Sequence, residues 1–216
     1  MSQRIIFISG LGANELAFSR IGDVGLEKVL VKWIANERKE SMESYAKRLI
    51  AKYKISSQDV ITGLSFGGIL AQQIGLILGN KNIILISSFR DKRDLRWPFK
   101  LALDLRLNII PLIRIPVLEN AIALILNSGS TESKEILKTM IKATDYKLMN
   151  WSIQKIAQLQ NNQFHELNPT SLIGTRDRII QKWSNNDTSI IQNGSHFMVF
   201  DRAREITEII KNRLYN

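Results

Sequence analysis

The residues of this chain best suited to chemistry lie in one short run, Gly63-Leu64-Ser65-Phe66-Gly67, followed by Gly68. A β-rich stretch, Asp59–Thr62, leads into it, and an apolar helical stretch, Gly67–Leu78, leads out. A serine between a strand and a helix sits in a tight turn that lifts its hydroxyl clear of the backbone. Glycines two before and two after it let the strand and helix pass without Cβ collisions. The helix start adds free N–H groups and the positive end of a dipole, where a developing oxyanion would be stabilised. The competing use of such a turn is a phosphate cradle. That would want Lys followed by Ser or Thr after the glycines, and here Ile69-Leu70 follow.

A serine nucleophile needs a base, and the chain has two histidines. His196 follows the β-rich run Thr188–Gln192, so it belongs at the carboxyl edge of a parallel sheet, where the serine turn also lies. His165 precedes the run Thr170–Ile173 and belongs at the opposite edge, as a surface or hinge residue. The base needs an orienting carboxylate. Asp177 directly follows Thr170–Ile173, again at the carboxyl edge, with Asp91 and Asp94 as alternatives after the preceding strand. Asp201 reads as a cap for the last helix. The order is serine, aspartate, histidine.

The elements that must position these residues alternate short β-rich runs with longer amphipathic ones, the pattern of βαβ units and a mainly parallel sheet. Arg4–Ser9 and Lys28–Trp33 read as strands. Ser41 is placed to cap a helix over Met42–Lys54, with Tyr45, Leu49 and Tyr53 spaced by four. Gly67–Leu78 should stop at Gly79-Asn80. Asn82–Ser87 is another strand, and a closing helix spans Arg202–Leu214. The rhythm lapses between Phe89 and His165, where Pro98, Pro111 and Pro116 interrupt apolar and basic helical stretches. The reading is one domain over 1–216, with a core of 1–88 and 166–216 and a helical insertion over 89–165.

Gly10-Leu11-Gly12, Gly63 to Gly68, Ile173-Gly-Thr-Arg-Asp177 and Gly194-Ser-His196 together resemble the α/β-hydrolase family, of the small carboxylesterase and thioesterase kind. The resemblance implies an α/β fold with Ser65, Asp177 and His196 as nucleophile, acid and base. It implies an oxyanion hole from the backbone N–H groups of Phe66 and Leu11, and a helical cap over 89–165. The family often carries His before the oxyanion-loop glycine, and here Ser9 stands there. The first β-rich run corresponds to the third strand of the full fold, so a reduced sheet of about six parallel strands is expected.

The expected reaction is cleavage of a small or medium-chain carboxylic ester through an acyl-serine, without metal or organic cofactor. The same chemistry would serve a thioester of CoA or a carrier protein. A different class, a non-catalytic binding module on the same scaffold, is the further alternative. The apolar residues between Leu101 and Leu118 offer a lining for an acyl chain. Between Arg90 and Arg114, seven basic residues stand against three acidic ones, a surplus that suits a solvated face or a phosphate-bearing leaving group.

Bulk properties exclude other classes. The absence of cysteine removes disulfides, thiolate metal sites and a cysteine nucleophile. The net charge is +10, but the basic residues form no block and have no interleaved aromatic pattern of the kind used on nucleic acid. The N-terminal apolar run is too short for a signal-peptide core. Charges and prolines break the stretch from Leu101 to Leu126, so it is not read as a membrane span. A cytoplasmic protein acting on a small molecule is expected.

Overall fold

A computed structural model describes residues 3–105, 124–126, 129–181 and 187–215. Its centre is a sheet of six strands: β1 (Arg4–Ile8), β2 (Glu27–Val31), β3 (Val60–Leu64), β4 (Ile83–Ile86), β5 (Thr170–Gly174) and β6 (Thr188–Ile191). The order is β2-β1-β3-β4-β5-β6 and every pairing is parallel. Parallel strands demand crossovers, and the helices that supply them cover both faces. Every strand lies close to its expected run. Expected Lys28–Trp33 becomes Glu27–Val31, because β2 pairs only over the five residues of β1. Trp33 therefore falls just beyond the carboxyl edge.

The helices are α1 (Met42–Tyr53), α2 (Phe66–Leu78), α3 (Trp97–Asp104), α4 (Thr131–Ala143), α5 (Tyr146–Ala157), α6 (Met198–Asp201) and α7 (Ala203–Tyr215). Ser41 caps α1, its Oγ accepting from Ser44 N–H at 3.0 Å. α2 ends at Gly79, whose left-handed φ of 63° lets its N–H return to the Gly75 carbonyl. Among the described residues, no helix is long and apolar enough to cross a membrane.

Side chains alternate along β1. Ile6 and Ile8 enter a core beneath α1 and α2, while Ile5 and Phe7 enter a second core that takes in α6 and α7. α4 gives Leu137, Met140 and Ile141 to the second core. α5 gives Leu148 and Trp151 to the first. The helices between β4 and β5 are thus rooted on both sides of the sheet. The Trp151 ring lies 4.6 Å from Tyr45 and edge-on to Phe66, and its Nε1–H donates to the Glu40 carbonyl at 2.9 Å. Full burial of an aromatic or aliphatic side chain of this size stabilises the fold by about 1.5–3 kcal/mol.

Asp201 differs from its expected part. It ends α6, and its Oδ1 accepts from the Oγ of Ser130 at 2.8 Å and from the Ser130 N–H at 3.3 Å. Ser130 in turn caps α4. The carboxylate ties the segment between β4 and β5 to the C-terminal helices instead of capping α7.

Candidate active site

Ser65 occupies the turn between β3 and α2 with φ 51° and ψ −121°. A side-chain-bearing residue pays of order 1–3 kcal/mol for such a backbone. Three hydrogen bonds hold it there. Its N–H donates to the Ile86 carbonyl at 3.0 Å, and its carbonyl accepts from Gly68 N–H at 2.9 Å and Ser88 Oγ at 2.7 Å. The neighbouring glycines are required by close approach. A Cβ on Gly63 would overlap the backbone of Gly67 and Gly68, and one on Gly67 would overlap the carbonyl oxygens of Ile8 and Ser9.

The loops after β5 and β6 bring the other two residues to the serine. They are cross-tied: Thr175 N–H donates to Ile191, Arg176 N–H to Gly194, and Asn193 N–H to Thr175 Oγ1. His196 Nε2 lies 2.9 Å from Ser65 Oγ. His196 Nδ1 lies 2.9 and 3.1 Å from the two carboxylate oxygens of Asp177. Asp177 Oδ1 also accepts from the N–H groups of Ile179 and Ile180, at 2.8 and 2.9 Å. An ionised carboxylate only accepts, so Nδ1 carries the proton and Nε2 presents its lone pair to the Ser65 hydroxyl. The aspartate side chain is fully buried and the imidazole nearly so.

The alternative acids are used elsewhere. Asp91 and Asp94 form a reciprocal cap around the single turn Lys92–Asp94. Hydrogen bonds from Arg93 hold the Asp91 carboxyl below the usual carboxylate range despite its burial. Burial pushes Asp94 above that range. His165 is exposed beside Glu166, with its Nδ1 2.9 Å from the Asn162 carbonyl oxygen.

The loop after β1 closes on Ser65 from the opposite side. A Cβ on Gly10 would stand 3.0 Å from the Cβ of Ser65. Leu11 follows it, and Leu11 and Phe66 both line the space in front of the serine. Two residues that sequence reasoning missed brace this region. Ser9, fully buried, donates through Oγ to the Ala13 carbonyl at 3.1 Å. Trp33 donates through Nε1 to Ser9 Oγ at 2.8 Å and to the Ala13 carbonyl at 2.9 Å. The Trp33 ring also stacks on Phe66 at 6.0 Å and 16°. One indole thus touches both segments from which oxyanion donors were expected. Its only sequence signal was its place as the last residue of an expected strand.

In front of Ser65 lies a chamber of about 330 Å³. Among its described lining residues, Ser65 and His196 alone carry side-chain nitrogen or oxygen. The rest of the lining includes Phe99 and Leu103 of α3, Leu137 and Ile141 of α4, and Met149, Ile153 and Ile156 of α5. Among the described residues of the expected lining segment, Leu101 to Leu105, Ala102 and Leu103 line the chamber, and α4 and α5 add to the wall. Leu103 lines the chamber, but Leu101 and Leu105 point to solvent. The residues from Leu107 to Leu118 lie outside the described ones. Arg93, one of the cations counted as surplus, is paired with Asp91 and hydrogen-bonded to Asn162.

No family model and no curated protein sequence matches the chain. Solved structures do. A thermophilic esterase from Thermogutta terrifontis superimposes with a TM-score of 0.79 at 13% identity, over 99% of this chain and 90% of that one. A hydrolase from Oleispira antarctica gives 0.78 at 13% identity, over 100% and 92%. An N-acyl homoserine lactonase, solved with N-hexanoyl homoserine lactone, gives 0.75 at 13% identity, over 99% and 90%. What these proteins share with the chain is the order of its strands and helices, and that arrangement is the α/β-hydrolase fold.

Proposed function

We propose that the protein is a serine hydrolase that cleaves carboxylic esters of small or medium-chain acids through an acyl-serine intermediate. The observation that carries this reading is the hydrogen-bonded row Ser65–His196–Asp177, opening on a chamber whose other described lining residues carry no side-chain nitrogen or oxygen. His196 Nε2 takes the Ser65 proton as Oγ attacks the ester carbonyl carbon. The oxyanion that forms is received by the backbone N–H groups of Phe66 and Leu11. The ester C–O bond then breaks, and the proton on His196 passes to the departing oxygen. A water molecule repeats the attack on the acyl-serine, returning the proton to Ser65 and releasing the acid. Asp177 holds the imidazole in the required tautomer throughout.

The segment 89–165 acts as a helical cap in this reading, with α3, α4 and α5 forming the acyl wall. The esterases and the lactonase among the structural neighbours support an acyl substrate, the latter holding a hexanoyl compound. The test is a chain-length series of aryl esters with wild type and Ser65→Ala, alongside labelling by a fluorophosphonate. Rates should rise by about fourfold per added methylene, the value of about 0.8 kcal/mol of burial, until the chamber is full. Ser65→Ala should lose several orders of magnitude. Absence of labelling at Ser65 in folded protein would remove the enzyme reading and leave a binding module.

A further inference from the structure

Beside the apolar chamber lies a second concavity of about 480 Å³, and its lining is Arg96, Arg176, Asp177 and Arg178. The Asp177 carboxylate does not neutralise it, since both oxygens face His196 and one also takes the N–H groups of Ile179 and Ile180. What Asp177 offers the basin is its carbonyl, which accepts from Arg96 Nε at 2.9 Å. Arg178 donates to the Leu124 carbonyl at 3.3 Å. Among the described residues, none of the three arginines has a carboxylate partner within ion-pair distance. Among the described residues, three guanidinium groups share one hollow in which Asp177, turned toward His196, is the single carboxylate.

The hollow and the chamber share a wall. Arg96 N–H donates to the Ile179 carbonyl at 2.8 Å, Gln181 N–H donates to Asp94, and Leu95 bridges Ile180 in antiparallel fashion. Along this short ribbon the side chains divide. Leu95 and Ile179 line the apolar chamber, whereas Arg96 and Arg178 line the basin. A ligand crossing the rim would meet grease on one side and fixed positive charge on the other.

We propose that the basin binds a phosphate-bearing leaving group, so that the substrate is an acyl ester or thioester with an apolar acyl part and a phosphorylated alcohol or thiol part. The proposal rests on the serine-hydrolase reading. Guanidinium groups meet phosphate oxygens through paired N–H donors, and three together suit a diphosphate better than a single carboxylate. In the acyl-transfer step the Ser65 Oγ–acyl bond forms, the bond to the leaving oxygen or sulfur breaks, and the proton on His196 goes to that atom. The phosphates take no covalent part.

The experiment compares hexanoyl-CoA with hexanoyl-N-acetylcysteamine, which carries the same thioester without phosphate. Wild type should favour hexanoyl-CoA in kcat/KM by about tenfold or more, the effect of charge-assisted hydrogen bonds of this kind. Arg176→Glu, and Arg176→Glu with Arg178→Glu, should lower that ratio by about tenfold or more. Inorganic pyrophosphate should compete with hexanoyl-CoA. A ratio near one in wild type, or one unmoved by the charge reversals, overturns the proposal. So does pyrophosphate that changes the rate without competing, because the basin would then hold a free phosphate effector. Turnover of hexanoyl-N-acetylcysteamine in the same preparations shows that the variants are folded. Pyrophosphate binding to Ser65→Ala by calorimetry reads the basin without catalysis: binding supports the site, and none overturns it. Loss of fluorophosphonate labelling in wild type would instead sink the serine reading and leave that binding result standing.

Discussion

At the scale of single residues, Trp33 is the side chain whose removal is most informative. Its indole N–H holds Ser9 and the Ala13 carbonyl, and its ring leans on Phe66. Trp33→Phe keeps an aromatic face and deletes the donor. If the loop carrying Leu11 must be held for oxyanion stabilisation, kcat should fall by about tenfold with KM nearly unchanged, since the lost contact matters only in the transition state. Steady-state kinetics on an aryl ester, with a thermal melt as control, measures this. A drop in Tm with unaltered kcat would assign Trp33 a structural part alone. Ser65 was legible in the sequence because the serine and the glycines its turn requires lie together in one short run. Trp33 and Ser9 were not, because their work joins positions 9, 13, 33 and 66, which only the folded sheet brings together.

At the scale of elements, the junction of β3 with α2 sets how well the serine is held. A methyl on Gly67 would meet the carbonyl oxygens of Ile8 and Ser9, which are backbone atoms at the end of β1 and cannot rotate away. Gly67→Ala should therefore cost about 1–3 kcal/mol. In a chain of this length that lowers Tm by several degrees. Circular dichroism melts would show it, and ester turnover should fall with it because β1 carries the Leu11 loop. The strands and helices of the sheet were readable from their alternation of β-rich and amphipathic runs. The source of the chamber lining was not. Composition marked Leu101 and Leu105 as lining together with Leu103, yet hydrophobicity carries no direction: Leu103 faces the chamber while Leu101 and Leu105 face outward, and α4 and α5 add residues that composition did not single out.

At the scale of the whole molecule, one ion pair joins the start of the sheet to the entry of β3. Arg4 donates to Asp59 through Nε at 3.1 Å and Nη2 at 2.8 Å, and the Asp59 carboxylate also takes the Ser56 N–H. Burial pushes the Asp59 carboxyl up, but Arg4 and Ser56 outweigh it and hold its pKa below the ordinary value. A carboxyl with a depressed folded-state pKa adds stability that is present above the ordinary carboxylate range and is lost as pH falls through the lowered value. Asp59→Asn should then cost about 1–3 kcal/mol at pH 7. The gap to wild type should close in acid, and urea unfolding at pH 7 and pH 3 would follow it. A gap that stays constant with pH would show that charge plays no part in this contact.

The rooting of α4 in one core and α5 in the other has a consequence for how new specificities can arise on this chain. A lid hinged on the surface could be exchanged wholesale between homologues. Here Leu137 and Ile141 are foundation as well as wall, and Met140, Leu148 and Trp151 anchor the same helices in the cores, so grafting a foreign segment would tear two interiors at once. Divergence should proceed by single exchanges among the residues that face the chamber and bear little of that weight, such as Ile153.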